Sequence, residues 1–221
     1  MSHNVIMVVF LLTLIGVCPL DIAFQLPSRR AFVSSALPLA TLLSGGSVSA
    51  AQGNSPMSFP SPTNDYTLTI VSPQGSLEMT QNNKPLKTHQ NEIVLCPLDE
   101  TIKCYQYTAG ITVDPVRIPS LREFGTPEQV ADKIAASAKS RDGVFSITLD
   151  ALSEFVDSNG LTYYDVAYTE VGKRGTKSFS TRTLINNGRL FVFTGSVKPI
   201  DVGEERIEQM KLTRDSFRVQ F

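Results

Sequence analysis

The chain has 221 residues and carries 20 Lys and Arg against 21 Asp and Glu, so its formal net charge is -1. That balance lacks the strong positive field that binding to a nucleic acid backbone needs, and we expect no nucleic acid partner. Hydrophobic residues make up 42% of the sequence, enough for a core, although much of this excess falls within the first fifty positions.

The first apolar run, VIMVVFLLTLIGV, covers residues 5–17. It is shorter than the roughly 20 apolar residues that a membrane-spanning helix needs. Its length instead matches the apolar region of a secretory signal peptide. We therefore predict a signal peptide over residues 1–23, with cleavage after Ala23.

The second apolar run, residues 32–50, follows the arginine pair Arg29 and Arg30. The pair and the run together fit a twin-arginine signal, which directs proteins across a membrane in the folded state. The run ends in VSA, whose small side chains suit a signal peptidase. An ordinary buried helix is the alternative, but Pro38 interrupts it. We predict a plastid transit and twin-arginine thylakoid-transfer segment over residues 24–50.

Two signals in tandem imply that at least two membranes are crossed in sequence. The arrangement resembles the multi-part presequences of algae with complex plastids, in which a signal peptide precedes a segment that starts with Phe, here AFQLP. The resemblance implies the thylakoid lumen of a plastid. Because no later stretch is apolar enough to span a bilayer, we expect a soluble mature protein, peripheral to the membrane.

Residues 51–65, AQGNSPMSFPSPTND, are rich in Pro, Ser, Asn and Gly. This composition predicts a flexible arm that buries no core of its own. The arm is either a passive leader or a docking tail that orders on binding, and in the second case residues 52–65 contact a partner.

From Tyr66 onward the sequence is typical of β-strands separated by turns. In VFSITL, alternation predicts that Phe145, Ile147 and Leu149 share one face of a strand. The strand LFVF carries apolar residues at successive positions, which predicts that it is covered on both sides.

Two Asn-Gly pairs mark predicted hairpins. Asn159-Gly160 and Asn187-Gly188 each separate two β-rich runs. Asn-Gly favours positive φ at both positions, which a two-residue type I′ turn requires.

Two amphipathic helices are predicted to cover the strands. TPEQVADKIAASAKS has Thr126 as N-cap and Gln129 to close a capping box. The second helix lies in DVGEERIEQMKLTRDSF, with Asp201 as its cap. The order of elements predicts one α+β domain over residues 66–221, with an antiparallel β-sheet sandwiched between helices.

Three segments of this domain together resemble the PsbP family: FGTPEQVADKIA, SNGLTYYDVAYTEVGKRGTKSFSTRTLINNGRLFVF and EERIEQMKLTRDSF. They carry a Thr-Pro-Glu helix start, a Gly-x-x-Tyr-Tyr strand, a basic hairpin, an Asn-Gly-x-Leu strand and a terminal Ser-Phe. The matching positions are Thr126, Pro127, Glu128, Gly160, Tyr163, Tyr164, Lys173, Arg174, Asn187, Gly188, Leu190, Ser216 and Phe217. At Ser76, Ala167, Ser178 and Ile207 the chain departs from residues common in the family, which implies a divergent PsbP-like member.

The resemblance implies a non-enzymatic extrinsic protein of the thylakoid lumen. The best-known member of the family caps the oxygen-evolving side of photosystem II and helps to retain calcium and chloride near the manganese cluster. The resemblance thus implies photosystem II lumenal subunits as partners, no tightly bound cofactor, and an indirect effect on calcium and chloride. The alternative is an assembly factor or auxiliary subunit of photosystem I or another thylakoid complex.

Cys96 and Cys104 are the cysteines that remain beyond the signals, and they flank PLDETIK. Two strands joined by so short a loop can bring them side by side. We expect a structural disulfide, because the pair is even and an oxidising lumen permits it. Two buried thiols or a redox-signalling pair are the alternatives.

No metal or catalytic site is predicted. His89 is the one His beyond the signals, and no Cys/His spacing fits zinc or copper. Loop acids such as Asp99 and Asp157 lack the spacing of a calcium-binding loop. Neither a Gly-x-Ser-x-Gly motif nor a His-paired nucleophile occurs. A small-molecule or enzymatic role in a pocket between sheet and helix is the remaining alternative.

GKRGTK is a basic hairpin loop. It is either an ordinary solvated loop or a contact with the acidic lumenal face of a photosystem, which would make binding salt-sensitive. On the second interpretation, Lys173, Arg174 and Lys177 are the predicted partner-binding residues.

Overall fold

The computed structural model describes residues 56–73, 76–81 and 89–221. Both predicted signals, with Arg29 and Arg30, lie outside the described residues. The strands are β1 (Met57–Pro60), β2 (Thr67–Ile70), β3 (Leu77–Gln81), β4 (Asn91–Pro97), β5 (Tyr107–Pro115), β6 (Val144–Val156), β7 (Thr162–Gly172), β8 (Gly175–Asn186), β9 (Arg189–Val197) and β10 (Arg218–Gln220). The helices are α1 (Leu121–Phe124), α2 (Pro127–Lys139), α3 (Pro199–Val202) and α4 (Glu205–Ser216).

The strands form a large and a small antiparallel sheet. The large sheet has seven strands in the order β3-β4-β5-β9-β8-β7-β6. Strands β6 to β9 are consecutive hairpins, and β9 returns to pair with β5. The small sheet has the order β1-β2-β10 and so joins the two ends of the described domain. The result is a sheet-rich α+β fold, which agrees with the predicted class.

Strand β1 corrects the predicted boundary between the arm and the domain. Residues 57–60 were assigned to the flexible arm, but they pair with β2 from Met57↔Ile70 to Pro60↔Thr67. Phe59 is buried in the core. The Pro- and Ser-rich composition indicated a flexible segment, although Phe59 enters the core and β2 supplies backbone hydrogen bonds to these residues. Ordered structure therefore begins before Tyr66.

Alternate residues of the central strands enter two separate clusters. In β9, Phe191 and Phe193 belong to one cluster, while Leu190 and Val192 belong to the other. This agrees with the predicted covering of both faces. Helix α4 and the small sheet contribute to the first cluster, and helix α2 contributes to the second. The cover of one face thus includes a second sheet, which the sequence analysis did not predict.

The two Asn-Gly turns have different conformations. Asn187 and Gly188 have φ of 49° and 68°, as a type I′ turn requires. The prediction is wrong for Asn159-Gly160, where only the glycine has positive φ. There the Asp157 carboxylate accepts hydrogen bonds from the N–H groups of Asn159 and Leu161, both at 2.9 Å. This side-chain turn lengthens the connection to residues 157–161.

Strand β6 departs from simple alternation. Its pairing with β7 shifts between Val144 and Ser146 and again further along the strand. Ile147 packs against the core, but Phe145 and Leu149 are 63% and 42% exposed. The predicted shared face is wrong for Phe145, because the bulge between Val144 and Ser146 adds a residue there. Ile147 and Leu149 remain in continuous register two residues apart, but Leu149 is largely exposed.

The predicted N-cap is present in the first of the two longer helices and absent from the second. Helix α2 has the predicted capping box between Thr126 and Gln129. Asp201 does not cap α4: it lies in the short α3, where its carboxylate pairs with Lys198 at 2.8 Å. Gly203, with φ of 91°, ends α3 and lets the chain enter α4.

Candidate functional site

The basic hairpin is the turn between β7 and β8, where Gly172 and Gly175 are the last paired residues. Lys173 and Arg174 form its exposed tip. The Lys173 N–H donates to the Gly143 carbonyl at 2.8 Å, which ties the turn to the start of β6. A Cβ at Gly172 would lie 2.5 Å from that same carbonyl oxygen, so this close approach requires glycine. The tip is therefore held by backbone contacts.

The two tip cations have little opposing charge near them. Lys173 Nζ lies 3.5 Å from Asp142 Oδ1, and both side chains are mostly exposed. Solvent screens such a pair strongly. The Arg174 side chain has no hydrogen bond or ion pair with any described residue. Both charges are thus available to an approaching surface.

Lys177 is set apart from these two residues. It is half-buried and stands opposite Glu170 in the β7–β8 register. Glu170 also forms an ion pair with Arg141. The structure thus places Lys177 beside charges of the hairpin stem, whereas Lys173 and Arg174 occupy the tip.

Cys96 and Cys104 are joined by a disulfide, with their Cα atoms 4.9 Å apart. The bridge closes the connection between β4 and β5. The Lys198 N–H donates to the Gln106 carbonyl at 2.8 Å, and Lys198 also lies beside Gly175 of the basic hairpin. The disulfide loop and the hairpin therefore occupy the same end of the large sheet.

A buried ion pair that the sequence analysis missed lies further along the same two strands. The Arg182 guanidinium donates to both carboxylate oxygens of Asp165, each at 2.6 Å, and both side chains are almost fully buried. A third guanidinium nitrogen donates to the Asp215 carbonyl at 2.8 Å. The sequence did hold a signal, because a two-residue turn at Lys173 and Arg174 places Asp165 opposite Arg182.

The two tyrosines of the Gly-x-x-Tyr-Tyr motif point to opposite faces of β7. Tyr163 lies in the cluster beside α4, and its hydroxyl accepts the Val219 N–H at 3.2 Å. Tyr164 lies in the cluster beside α2, and its hydroxyl donates to the Gly125 carbonyl at 3.2 Å. Burial raises the pKa of both hydroxyls. Tyr163 therefore links β7 to β10, and Tyr164 links β7 to the residue that follows α1.

His89 is held by a buried acid. Its Nδ1 lies 2.8 Å from Asp114 Oδ2, with side chains 8% and 3% exposed. Burial by itself would lower the pKa of His89, but the hydrogen bond to Asp114 and the charges of Asp114 and Glu92 outweigh it, so the pKa is raised. The described residues contain no cluster of three or more His, Cys, Asp or Glu that could hold a metal ion.

Comparison with known proteins identifies relatives of the described domain. The family model for PsbP matches residues 58–219. The solution structure of cyanobacterial PsbP (CyanoP) from Synechocystis sp. PCC 6803 has a TM-score of 0.56 at 17% identity, covering 81% of this chain and 99% of that chain. At that identity, the likeness shows the fold alone.

A second structure is more remote. LpqN, involved in cell envelope biogenesis of Mycobacterium tuberculosis, has a TM-score of 0.33 at 11% identity, covering 78% of this chain and 88% of that chain. That score is too low to carry an argument. No curated protein matches the chain. Among the described residues, no helix combines the length and apolar character needed to cross a membrane.

Proposed function

The chain belongs to the PsbP family, and from this premise we propose that it is a non-enzymatic extrinsic protein that docks on the lumenal side of photosystem II. Proteins of this family are lumenal, peripheral to the thylakoid membrane, and associate with photosynthetic membrane complexes. In this role the protein supports the oxygen-evolving complex through assembly, stability or retention of calcium and chloride. Its effect on the two ions is indirect, with no tightly bound cofactor.

The observation that carries the proposal is the pair of exposed cations on a backbone-anchored turn. Lys173 and Arg174 project from the end of the sheet, and Asp142, which lies 3.5 Å from Lys173 Nζ, is itself exposed and screened. A positive tip of this kind fits an acidic protein surface and steers the approach to it. Because the contact is exposed at its rim, binding weakens as salt rises.

Of the two predicted partner contacts, the structure supports the basic hairpin better than the arm. Residues 52–65 were the other predicted contact, but β1 pairs with β2 within the small sheet and buries Phe59. Strand β1, Met57–Pro60, is committed to the fold in this way and is not a free docking tail. Lys177 belongs to the contact only as support for the tip, because it lies in the stem beside Glu170.

Delivery to the lumen is a separate part of the proposal. Arg29 and Arg30 precede an apolar run and fit a twin-arginine signal. On this route the domain crosses its last membrane folded, in the thylakoids of a plastid. Replacing both arginines with lysine is expected to leave the precursor outside the lumen, as judged by protease protection in isolated thylakoids.

The alternative is an assembly factor or auxiliary subunit of photosystem I or another thylakoid complex. Its support is the departure of this chain from residues common in the family, at Ser76, Ala167, Ser178 and Ile207. A divergent member can keep the fold and the hairpin while it binds another complex.

Binding to isolated membranes tests the proposal. Photosystem II membranes stripped of extrinsic proteins are incubated with the protein at graded salt, and the bound fraction is measured after sedimentation. The double variant Lys173→Gln, Arg174→Gln should bind weakly at every salt concentration. The control Arg122→Gln, Lys211→Gln removes two charges elsewhere and should bind like the wild type. Equal binding by both double variants would contradict a role for the hairpin.

A further inference from the structure

A depression of about 340 Å³ lies at the other end of β7 from the basic hairpin. Its lining comes from the end of β6, the β6–β7 connection and β10, and comprises Phe155, Asp157, Ser158, Asn159, Arg218, Val219 and Gln220. Strand β7 has 11 residues, so at about 3.3 Å per residue the two sites lie roughly 33 Å apart. The depression is therefore distinct from the proposed docking tip.

The Arg218 guanidinium is held in place within this depression. One terminal nitrogen, Nη1, donates to the carbonyls of Asp215 and Phe217, both at 2.7 Å. The guanidinium carbon lies 4.6 Å from the centre of the Phe155 ring. Nε and Nη2 make no hydrogen bond with any described residue. A positioned guanidinium with spare donors is suited to an oxyanion.

The single acid in the lining already has its partners. One oxygen of Asp157 accepts the N–H groups of Asn159 and Leu161, and the other faces the Tyr163 hydroxyl at 3.4 Å. The side chains of Ser158, Asn159 and Gln220 make no hydrogen bond with the described part of the chain. The unused groups of the depression are therefore the charged Nε and Nη2 donors of Arg218 together with neutral groups that can donate or accept, and the one lining carboxylate is already hydrogen-bonded.

Charge considerations favour an anion with one negative charge. Burial and the nearby Arg182 lower the pKa of Arg218, so its charged form lacks a full counter-charge. Arg182 itself is neutralised by Asp165. A dianion would meet stronger repulsion from Asp157, and Arg218 is the one cation among the described lining residues to offset it. Phe155 and Val219 add an apolar wall for a short carbon chain.

We propose that this depression binds a carboxylate, with the free Arg218 donors facing its oxygens and the polar turn at Ser158 and Asn159 completing the site. The carboxylate belongs to an acidic side chain of a partner protein or to a small organic acid, and the chemistry of recognition is the same for both. Either ligand would bind at a place remote from the basic hairpin.

The test is a titration of the purified protein followed by amide chemical shifts in two-dimensional NMR. The probes are butyrate, which carries one negative charge, a capped tripeptide with a central Asp, the matching Asn peptide, and inorganic phosphate. We expect saturable shifts for residues 157–161 and 218–220 with butyrate and the Asp peptide, with a dissociation constant in the millimolar range. The Asn peptide should cause none. Similar affinities for butyrate and the Asp peptide show that an acidic side chain is sufficient, and tighter binding of butyrate identifies a small organic acid.

Variants separate binding from folding. Arg218→Gln should weaken carboxylate binding roughly tenfold or more, because it removes a charged donor pair. Arg174→Gln, at the distant hairpin, should leave the binding unchanged. Since Arg218 also holds two carbonyls, a second variant is needed: Asn159→Asp adds a negative charge on an exposed turn and should weaken binding without affecting the thermal melt. Absent shifts, equal binding of the Asn peptide, tighter binding of phosphate, or full affinity in Asn159→Asp would each overturn the proposal.

Discussion

Replacing Asp165 with Asn is expected to lower the free energy of unfolding by about 3 kcal/mol, because it leaves a buried guanidinium without its counter-charge. Asn keeps the shape of Asp, so the change removes charge without creating a cavity. Arg182 is 4% exposed, and of its two hydrogen bonds of 2.6 Å to the carboxylate it keeps one to the neutral amide oxygen, while the new NH2 group faces its other donor. Its remaining charged partner, the Asp215 side chain, is 48% exposed and lies 3.3 Å away, so it offsets little of the lost charge.

Urea unfolding followed by circular dichroism measures this loss. For a domain of this size, about 3 kcal/mol corresponds to a fall of roughly 6–12 °C in melting temperature. Glu154→Gln is the matched control, because it makes the same chemical change in an exposed arginine pair, with Arg122 68% exposed. The control should cost less than about 1 kcal/mol. The double variant Asp165→Leu, Arg182→Met should recover much of the stability. Equal losses in Asp165→Asn and Glu154→Gln would refute this account of the buried pair.

Three further predictions concern stability. Reducing the disulfide, which spans a sequence separation of 8, should cost about 2–3 kcal/mol on the chain-entropy model, and an unchanged melt in reductant would argue against a stabilising bridge. The raised pKa of His89 makes its contribution fully present below the ordinary value of about 6.5 and lost as pH rises through the raised pKa. The urea midpoint should therefore fall across that window in wild type but less in His89→Gln, and parallel curves would exclude His89 as the cause. Gly172→Ala places a Cβ 2.5 Å from the Gly143 oxygen and should cost about 1–3 kcal/mol in urea unfolding, whereas wild-type stability would show that the turn relaxes freely.

Features formed by neighbouring residues could be predicted from the sequence. The capping box of Thr126 and Gln129 and the turn at Asn187-Gly188 depend on contacts within a few residues. The same holds for the hairpin tip at Lys173 and Arg174, whose exposure follows from its place in a turn. In these cases the local pattern determines the geometry, and tertiary packing has only to preserve it.

Features formed by distant segments were not visible in the same way. The Ser216 Oγ accepts the Val71 N–H at 2.7 Å across 145 positions, which fastens the end of α4 to the residue after β2. The Arg218 depression likewise combines the β6–β7 connection with the last strand. At Asn159-Gly160 a local signal did exist, but the Asp157 side chain redirected it. Contacts between segments far apart in sequence therefore could not be predicted, and neither could a turn in which a side chain replaces the expected backbone geometry.

Salt washing of isolated thylakoids, with native gels of each fraction, tests the central claim most directly. The account predicts that the protein co-migrates with photosystem II at low salt and is released as salt rises, since exposed charges at the hairpin tip are screened. The double variant Lys173→Gln, Arg174→Gln should be released at lower salt than the control Arg122→Gln, Lys211→Gln. Co-migration with photosystem I, or a free protein in every fraction, would contradict docking on photosystem II.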